Sequence, residues 1–204
     1  MILIIQNGYV YPNIVKYLDD EYTIIKSFEQ NVSEINIDEY KLVIILGGYQ
    51  SITRIFEHPQ LLNVVNLIKK CAEKNKPLLG ICLGCQMIGY AMGCEIKSSG
   101  KLNVGYDATL LGFTNVFRSH IDYVVPCSHI EILETFENMP YLIKYKKNII
   151  GVQCHPDITP EYANKYSGDT KSSQYAEKNQ NIINEQNKKI IDILLSMLGY
   201  QFNR

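Results

Sequence analysis

The chain has 204 residues, with 20 lysines and arginines against 21 aspartates and glutamates, so its formal net charge is −1. That length suits one well-buried domain and leaves little room for a second, so we expect a single domain over residues 1–204. Balanced charge gives no indication of nucleic acid or an anionic membrane as a partner, and no apolar run approaches transmembrane length.

The N-terminal run Met1–Ile5 has no basic segment and is too short for a signal peptide, so it is interpreted as a buried strand. Six cysteines in a chain without an export signal favour reduced thiols. We therefore expect a cytoplasmic location.

In the first half, short β-branched runs alternate with segments whose apolar residues recur at helical spacing. Strands are predicted at 2–5, 22–28, 42–46 and 78–81, and helices at 12–20, 61–72 and 86–92. Near-continuous hydrophobicity in the strands is typical of a parallel sheet covered on both faces. The alternation predicts a doubly wound, mostly parallel α/β sheet with functional sites at the carboxyl ends of its strands.

The pattern changes after Gly93. Further strands are predicted at 105–111, 123–126, 141–146 and 149–153, the last two joined by a turn at Lys147-Asn148. The polar segment 168–180 is predicted to be loop-like or poorly ordered. A final helix is predicted at about 181–198, stopped by Gly199.

The segment Gly80-Ile-Cys-Leu-Gly-Cys-Gln86 follows the strand predicted at 78–81. A strand, a glycine, a nucleophile, a second glycine two residues on and then a helix form the pattern of a nucleophile elbow. The helix dipole and the free N–H groups at a helix N-terminus favour the reactive thiolate of Cys82. Without the flanking glycines, a buried structural cysteine would be the simpler interpretation.

A thiol nucleophile needs a base and a place for the developing oxyanion. His155 stands at the end of the strand predicted at 149–153, and Asp157, two residues on, could orient its imidazole. The Gly47-Gly48 pair ends another strand, where its N–H groups could join that of Leu83 in an oxyanion hole.

Together, Cys82 in G-x-C-x-G-x-Q, His155-Pro156 followed by an acid, and the upstream glycine pair resemble the class I glutamine amidotransferases. The resemblance covers roughly residues 1–161 and implies a flavodoxin-like fold and a Cys-His-acid triad. The triad would hydrolyse the side-chain amide of L-glutamine through a thioester, without cofactor or metal. Residues 1–8 and 128–131 look most like the glutaminase part of GMP synthetase.

The resemblance assigns roles by position. Cys82 would be the nucleophile, His155 the acid and base, and Asp157 the orienting acid, with the oxyanion held by Gly48 and Leu83. Substrate contacts would come from further residues: Gly47, Gln86, Ser128 and His129. No ATP-binding loop is present, so the ammonia would go to a separate synthetase subunit.

The sequence also departs from the family pattern. Asp157 stands where the family usually has glutamate, which shortens the reach to His155 by about 1.5 Å, the length of one C–C bond. Cys85, Cys154, Leu46 and Tyr49 also differ from the usual residues.

Four other interpretations use the same residues. Cys82-x-x-Cys85 matches a dithiol redox motif, and Cys82, Cys85, Cys154 and His155 include zinc-ligand types. A relative that lost catalysis could be regulatory, with Asp157 marking decay of the triad. A hydrolase of other γ-glutamyl amides would use the same triad without needing a partner.

Overall fold

The computed structural model describes residues 1–9, 12–166, 168 and 170–200. Nine strands and five α-helices are assigned within these residues. The strands are β1 Ile2–Gln6, β2 Tyr22–Lys26, β3 Leu42–Ile45, β4 Leu78–Ile81, β5 Ile96–Leu110, β6 Phe113–Val124, β7 Glu131–Phe136, β8 Met139–Tyr145 and β9 Ile149–Val152. The helices are α1 Gln60–Glu73, α2 Leu83–Ala91, α3 Pro160–Tyr166, α4 Thr170–Lys178 and α5 Gln180–Met197.

Seven strands form one sheet in the order β2-β1-β3-β4-β9-β8-β7. The pairs from β2 through β9 are parallel, whereas β8 and β7 add antiparallel strands at one edge. The order 2-1-3-4 followed by a fifth parallel strand is that of the flavodoxin-like fold, so the predicted fold class is confirmed. The remaining strands, β5 and β6, pair with each other as a separate antiparallel ribbon.

Side chains alternate between two apolar layers because successive strand residues point to opposite faces. On one face, Leu3, Ile5 and Val43 pack with residues of α1 and α2. On the other face, Ile4 and Ile44 pack with residues of α5. Each layer is fully buried, as expected for a parallel sheet covered on both sides.

The second half of the chain departs most from the prediction. The strands predicted at 105–111 and 123–126 belong to the long β5 and β6, and β7 and α3 were not predicted. The predicted β8–β9 hairpin is present, as is the final helix, which spans Gln180–Met197. The loop predicted at 168–180 is wrong where the structure forms α4. That helix buries only the small Ser172 and Ala176, so its sequence carries little apolar periodicity.

The helix predicted at 12–20 is shorter, a 3₁₀ helix over Asn13–Tyr17. Its buried side chains, Ile14 and Tyr17, are three residues apart, which is the repeat of a 3₁₀ helix. Three further 3₁₀ helices, Val32–Glu34, Ile37–Glu39 and Ile52–Glu57, lie in connections of the parallel half.

Cys94 and Cys127 form a disulfide that links the end of α2 to the segment after β6. The expectation that all six cysteines are reduced is therefore wrong for this pair, because the fold brings two residues 33 positions apart into contact. Cys71, Cys82, Cys85 and Cys154 are free and buried. Among the described residues, no helix combines the length and apolar character needed to cross a membrane.

Candidate active site

Cys82 occupies the turn between β4 and α2 with φ 52° and ψ −106°. A positive φ is unfavourable for a residue with a Cβ, so the surrounding structure must hold this turn in place. The turn places the thiol at the carboxyl end of β4 and at the N-terminus of α2. This is the elbow geometry that the sequence predicts.

Two glycines make the turn sterically feasible. A Cβ on Gly84 would lie 2.2 Å from the carbonyl oxygen of Ile45, and a Cβ on Gly80 would lie 2.6 Å from the backbone of Gly84. Real Cβ atoms do not approach backbone atoms this closely. The first turn of α2 can therefore lie against β3 and β4 only with glycine at both positions.

His155 follows β9, the strand beside β4, so the parallel pairing brings its side chain to the elbow. Its backbone N–H donates to the Phe117 carbonyl at 2.7 Å, which fixes it against β6. The Nδ1 atom lies 3.0 Å from Asp157 Oδ1, and both side chains are buried. Since an ionised carboxylate only accepts, Nδ1 carries the proton and Nε2 is left to face other groups.

Cys82 and His155 are close neighbours. A Cβ on Gly47 would lie 3.0 Å from His155 Cε1 and 3.3 Å from the Cys82 Cβ, so Gly47 adjoins both side chains. Burial by itself would lower the pKa of His155, but the adjacent Cys82 and Asp157 outweigh it and raise that pKa well above its usual value. His155 is thus suited to hold a proton beside Cys82 and to donate it to a leaving group.

The proposed oxyanion groups also adjoin the thiol. A Cβ on Gly48 would lie 3.2 Å from Leu83 Cδ2, so the glycine pair packs directly against the first residue of α2. The first N–H groups of a helix have no partner within the helix, and they lie at the positive end of its dipole. Gly48 and Leu83 therefore border the space beside Cys82 where negative charge could be stabilised.

Two cavities meet at Cys82. The His155-side cavity has a volume of about 260 Å³ and is also lined by Gly47, His155 and Asp157. The Gln86-side cavity has a volume of about 460 Å³ and is lined by Leu83 and Gln86. Gly48 and Ser119 border both cavities. The thiol thus has two distinct approaches.

Gln86 is buried and lines one of these cavities, but its amide is already engaged. Its Nε2 donates to the Asp122 carbonyl at 2.8 Å and contacts Gln153 Oε1 at 3.3 Å. The side chain therefore ties α2 to β6 and β9 as well as bordering the cavity.

The structure does not bring Ser128 and His129 to the site. His129 Nδ1 lies 2.9 Å from the Met92 carbonyl, at the far end of α2. Ten residues at 1.5 Å each separate Met92 from Cys82, a distance of about 15 Å along the helix. The Ser128-His129 pair that the sequence resemblance selected therefore lies far from the thiol, and its role in substrate binding stays a prediction.

A second pair, Ser119-His120, lies in β6 beside the thiol. The Cys82 thiol donates to the Ser119 carbonyl at 3.6 Å, and both residues line the Gln86-side cavity. Asp122 completes the group, since its side chain is also buried and lines that cavity. The sequence offered no signal that separates the two pairs, because Ser128-His129 is likewise followed two residues later by an acid, Glu131.

His120 is held as a neutral base within this group. Burial lowers its pKa to about 4. Nδ1 lies 3.1 Å from the Asp122 carbonyl, which only accepts, so the proton is on Nδ1. Nε2 then accepts from the Tyr141 hydroxyl at 2.7 Å.

The other cysteines have a different environment from Cys82. Cys85 and Cys154 are fully buried, and burial raises the pKa of each thiol far above its usual value. Thiols of that kind are poor nucleophiles and poor metal ligands. Within the described part of the chain, no three His, Cys, Asp or Glu side chains are grouped to hold a metal ion.

A cysteine elbow beside a His–Asp pair, on a doubly wound sheet, is typical of α/β proteins with a thiol nucleophile. Residues 3–171 match the family model described as glutamine amidotransferase class-I. Since this match spans most of the chain, the chain belongs to that family.

Similar proteins agree with this assignment. A glutamine amidotransferase-like protein of Acanthamoeba polyphaga mimivirus is 57% identical over 198 residues, covering 97% of each chain. A glutamine-hydrolyzing GMP synthase subunit of Saccharolobus solfataricus is 32% identical over 158 residues, or 71% of this chain and 80% of that one. A solved glutamine amidotransferase from Thermotoga maritima shares the fold with a TM-score of 0.77 at 19% identity, covering 95% of this chain and 97% of that one.

Proposed function

We propose that the protein hydrolyses the side-chain amide of L-glutamine through a thioester on Cys82, releasing ammonia and glutamate. The observation that carries the proposal is the buried His155, which contacts the Asp157 carboxylate through Nδ1 and neighbours the Cys82 thiol on its other side. A nucleophile, a base and an orienting acid in this order are the components of amide cleavage by acyl transfer.

The reaction begins with attack of the Cys82 thiolate on the amide carbon. The resulting oxyanion accepts hydrogen bonds from the N–H groups of Gly48 and Leu83. The imidazolium of His155 protonates the leaving nitrogen, so that ammonia departs and a γ-glutamyl thioester remains. His155 then takes a proton from water, which attacks the thioester and releases glutamate. These groups supply the chemistry without a cofactor or a metal.

The Gln86-side cavity suits the α-amino acid end of glutamine. The buried Asp122 carboxylate offers a negative charge for the α-ammonium, and Arg54 offers a positive charge for the α-carboxylate. Further polar groups in the same cavity come from Gln86, Ser119 and His120. We therefore assign substrate recognition to this cavity and leave Ser128 and His129 out of it.

We further propose that the ammonia passes to a separate synthetase subunit of the GMP-synthetase type. Support comes from the likeness to the Saccharolobus protein, which is named as one subunit of a glutamine-hydrolyzing GMP synthase. In the longer GMP synthase of Marinobacter nauticus, which is 27% identical over 183 residues, the region like this chain is 34% of the whole. Nucleic acid and membranes have no part in this scheme. A cytoplasmic location is part of the proposal because Cys82 must stay a free thiol, although the Cys94–Cys127 disulfide is of a kind that is rare in reducing compartments.

The test measures ammonia and glutamate release from glutamine, with and without a GMP synthetase ATP-binding subunit. Cys82→Ala should abolish release, whereas the matched control Cys85→Ala should retain it, because Cys85 lines neither cavity among the described residues. An electrophilic glutamine analogue should add one label to the wild type, at Cys82. Full activity in Cys82→Ala would refute the scheme, and equal loss in Cys85→Ala would favour a dithiol mechanism. Absence of both label and ammonia would favour a regulatory relative.

A further inference from the structure

Strand β6 makes a backbone contact with each of the two residues that carry the proposed chemistry. The Phe117 carbonyl accepts from the His155 N–H at 2.7 Å. The Ser119 carbonyl lies 3.6 Å from the Cys82 sulfur. Backbone carbonyls two residues apart in a strand point to the same edge, so one edge of β6 meets both residues. A shift of β6 would therefore move the thiol relative to the imidazole.

Backbone pairing alone leaves β6 weakly attached. Among the described residues it pairs only with β5, in a two-stranded ribbon that is separate from the seven-stranded sheet. The register of the ribbon shifts in three places, one of them at Asp107, which lies between the paired residues Tyr106 and Ala108. An isolated two-stranded ribbon is marginally stable in water, so side chains must supply further attachment.

The guanidinium of Arg118, in the middle of this part of β6, supplies such an attachment. Its Nε and Nη2 donate to the two carboxylate oxygens of Asp107 at 2.7 Å each. Its Nη1 and Nη2 donate to the carboxylate of Glu137, in the turn between β7 and β8, at 2.7 and 3.2 Å. Its Cζ also lies 5.0 Å from the centroid of the Phe136 ring. Arg118 therefore ties β6 both to the irregular part of β5 and to the main sheet.

The burial of Arg118 favours a positional role over a stabilising one. Its side chain is 7% exposed, whereas those of Asp107 and Glu137 are 52% and 48% exposed. The cost of burying a charge offsets most of what its pairing returns, so such pairs add little net stability, but bidentate pairs fix geometry closely. Among the described residues, Arg118 lines neither cavity beside Cys82, so it acts through the strand rather than on the substrate.

We propose that Arg118 is a positioning residue for the reaction at Cys82, an inference that rests on the proposed glutaminase function. Its two bidentate pairs hold β6 against the elbow. Through the Phe117 and Ser119 carbonyls, β6 in turn keeps His155 and the thiol at reacting distance.

Loss of the guanidinium should affect turnover more than substrate binding. The substrate-side end of β6 is held separately, because the Asp122 carbonyl accepts from Gln86 Nε2 at 2.8 Å. A shift of about 1 Å at the reacting groups costs about a hundredfold in rate. For Arg118→Met we therefore expect kcat to fall about ten- to a hundredfold, while KM for glutamine stays within about threefold of its wild-type value.

The test measures glutamate release per Cys82 site, with sites counted by complete labelling with an electrophilic glutamine analogue, so that unfolded protein is not counted. Glu137→Gln is a second variant, which keeps the shape of a half-exposed side chain and should lower kcat by a smaller factor. Added to Arg118→Met, it should cause no further loss, because both changes remove the same pair. Arg118→Lys keeps the charge but not the two-sided fork, so its kcat should lie between those of Arg118→Met and the wild type.

A second bridging cation provides the matched control. Lys188, on α5, contacts Asp19 and Asp192 at 2.8 Å each, and among the described residues it lines neither cavity beside Cys82. Lys188→Met therefore removes a cation between two carboxylates away from β6. It should leave kcat and KM unchanged.

The outcomes separate this inference from the proposed function. A kcat per labelled site in Arg118→Met within threefold of wild type would overturn the positioning role, as would a KM that rises as far as kcat falls. It is also overturned if the losses of Arg118→Met and Glu137→Gln multiply in the combined variant, or if Lys188→Met loses as much. If the wild type itself takes no label and releases no glutamate, the proposed function fails, and the role of Arg118 fails with it.

Discussion

Replacing Gly84 by alanine should push the first turn of α2 away from strand β3. The new Cβ would lie 2.2 Å from the Ile45 carbonyl oxygen, and ordinary contacts begin near 3.4 Å. The first turn of α2 must therefore move by about 1 Å. A misplacement of that size costs about a hundredfold in rate, and overpacking of this kind costs about 1–3 kcal/mol of stability. The thiol of Cys82 and the N–H of Leu83 would both move with the turn.

A second glycine on the same helix provides the control. A Cβ on Gly89 would lie 2.7 Å from Val124, but the contact is with a side chain. Gly89→Ala should therefore be rescued by Val124→Ala. Gly84→Ala should not be rescued by Ile45→Ala, because its clash is with backbone.

Four variants are compared: Gly84→Ala, Gly89→Ala, Gly84→Ala with Ile45→Ala, and Gly89→Ala with Val124→Ala. The assays are glutamate release, the rate of Cys82 alkylation by iodoacetamide, and thermal unfolding. Gly84→Ala should lose about a hundredfold in kcat, with or without Ile45→Ala. The steric argument is refuted if Gly84→Ala keeps kcat within threefold of wild type with an unchanged Tm. It is also refuted if the Ile45→Ala change restores activity.

Three further changes test other parts of the structure. Asp157→Asn should lower kcat by about a hundred- to ten-thousandfold and move the alkaline limb of the pH–rate profile to lower pH, because the carboxylate helps raise the pKa of His155; an unchanged profile would contradict the pairing. The pKa of His120 is about 4 in the folded chain, below its ordinary 6.5, so stability should fall by about 3 kcal/mol from pH 6.5 to 4. Urea unfolding of His120→Asn should lack that loss. Replacing both Cys94 and Cys127 by serine should cost up to about 4 kcal/mol, from a separation of 33 residues, and should abolish any effect of reductant on Tm.

The parallel half of the fold could be predicted because its signals are local and strong. The runs at 2–5, 42–46 and 78–81 are continuous apolar segments, and each lies within one residue of an observed strand. Their order in the sheet follows from the alternation of strands with helical connections. The elbow could be predicted for the same reason, since its glycines and its cysteine are contiguous in sequence.

The polar half could not be predicted in this way. The helix α4 buries only small side chains, so its sequence has no clear helical period of apolar residues. The ribbon formed by β5 and β6 is partly exposed and irregular in register, so its sequence has no clear alternation of apolar and polar residues. The group Ser119, His120 and Asp122 on β6 was missed because its place beside Cys82 depends on how the β5–β6 ribbon packs against the elbow, which is tertiary information. The Cys94–Cys127 disulfide was missed for the same reason, since composition and compartment say nothing about which thiols the fold brings together.

The length of the acid at position 157 was the clearest departure from the family pattern. A shorter side chain would matter if it left His155 Nδ1 without a partner, but the structure has Asp157 Oδ1 at 3.0 Å from that nitrogen. Both residues lie in one tight turn after β9, in which the Ile158 N–H contacts the His155 carbonyl at 3.4 Å. Backbone curvature therefore brings the carboxylate to the imidazole without the extra methylene. Loss of reach then gives no reason to regard the chain as an inactive relative.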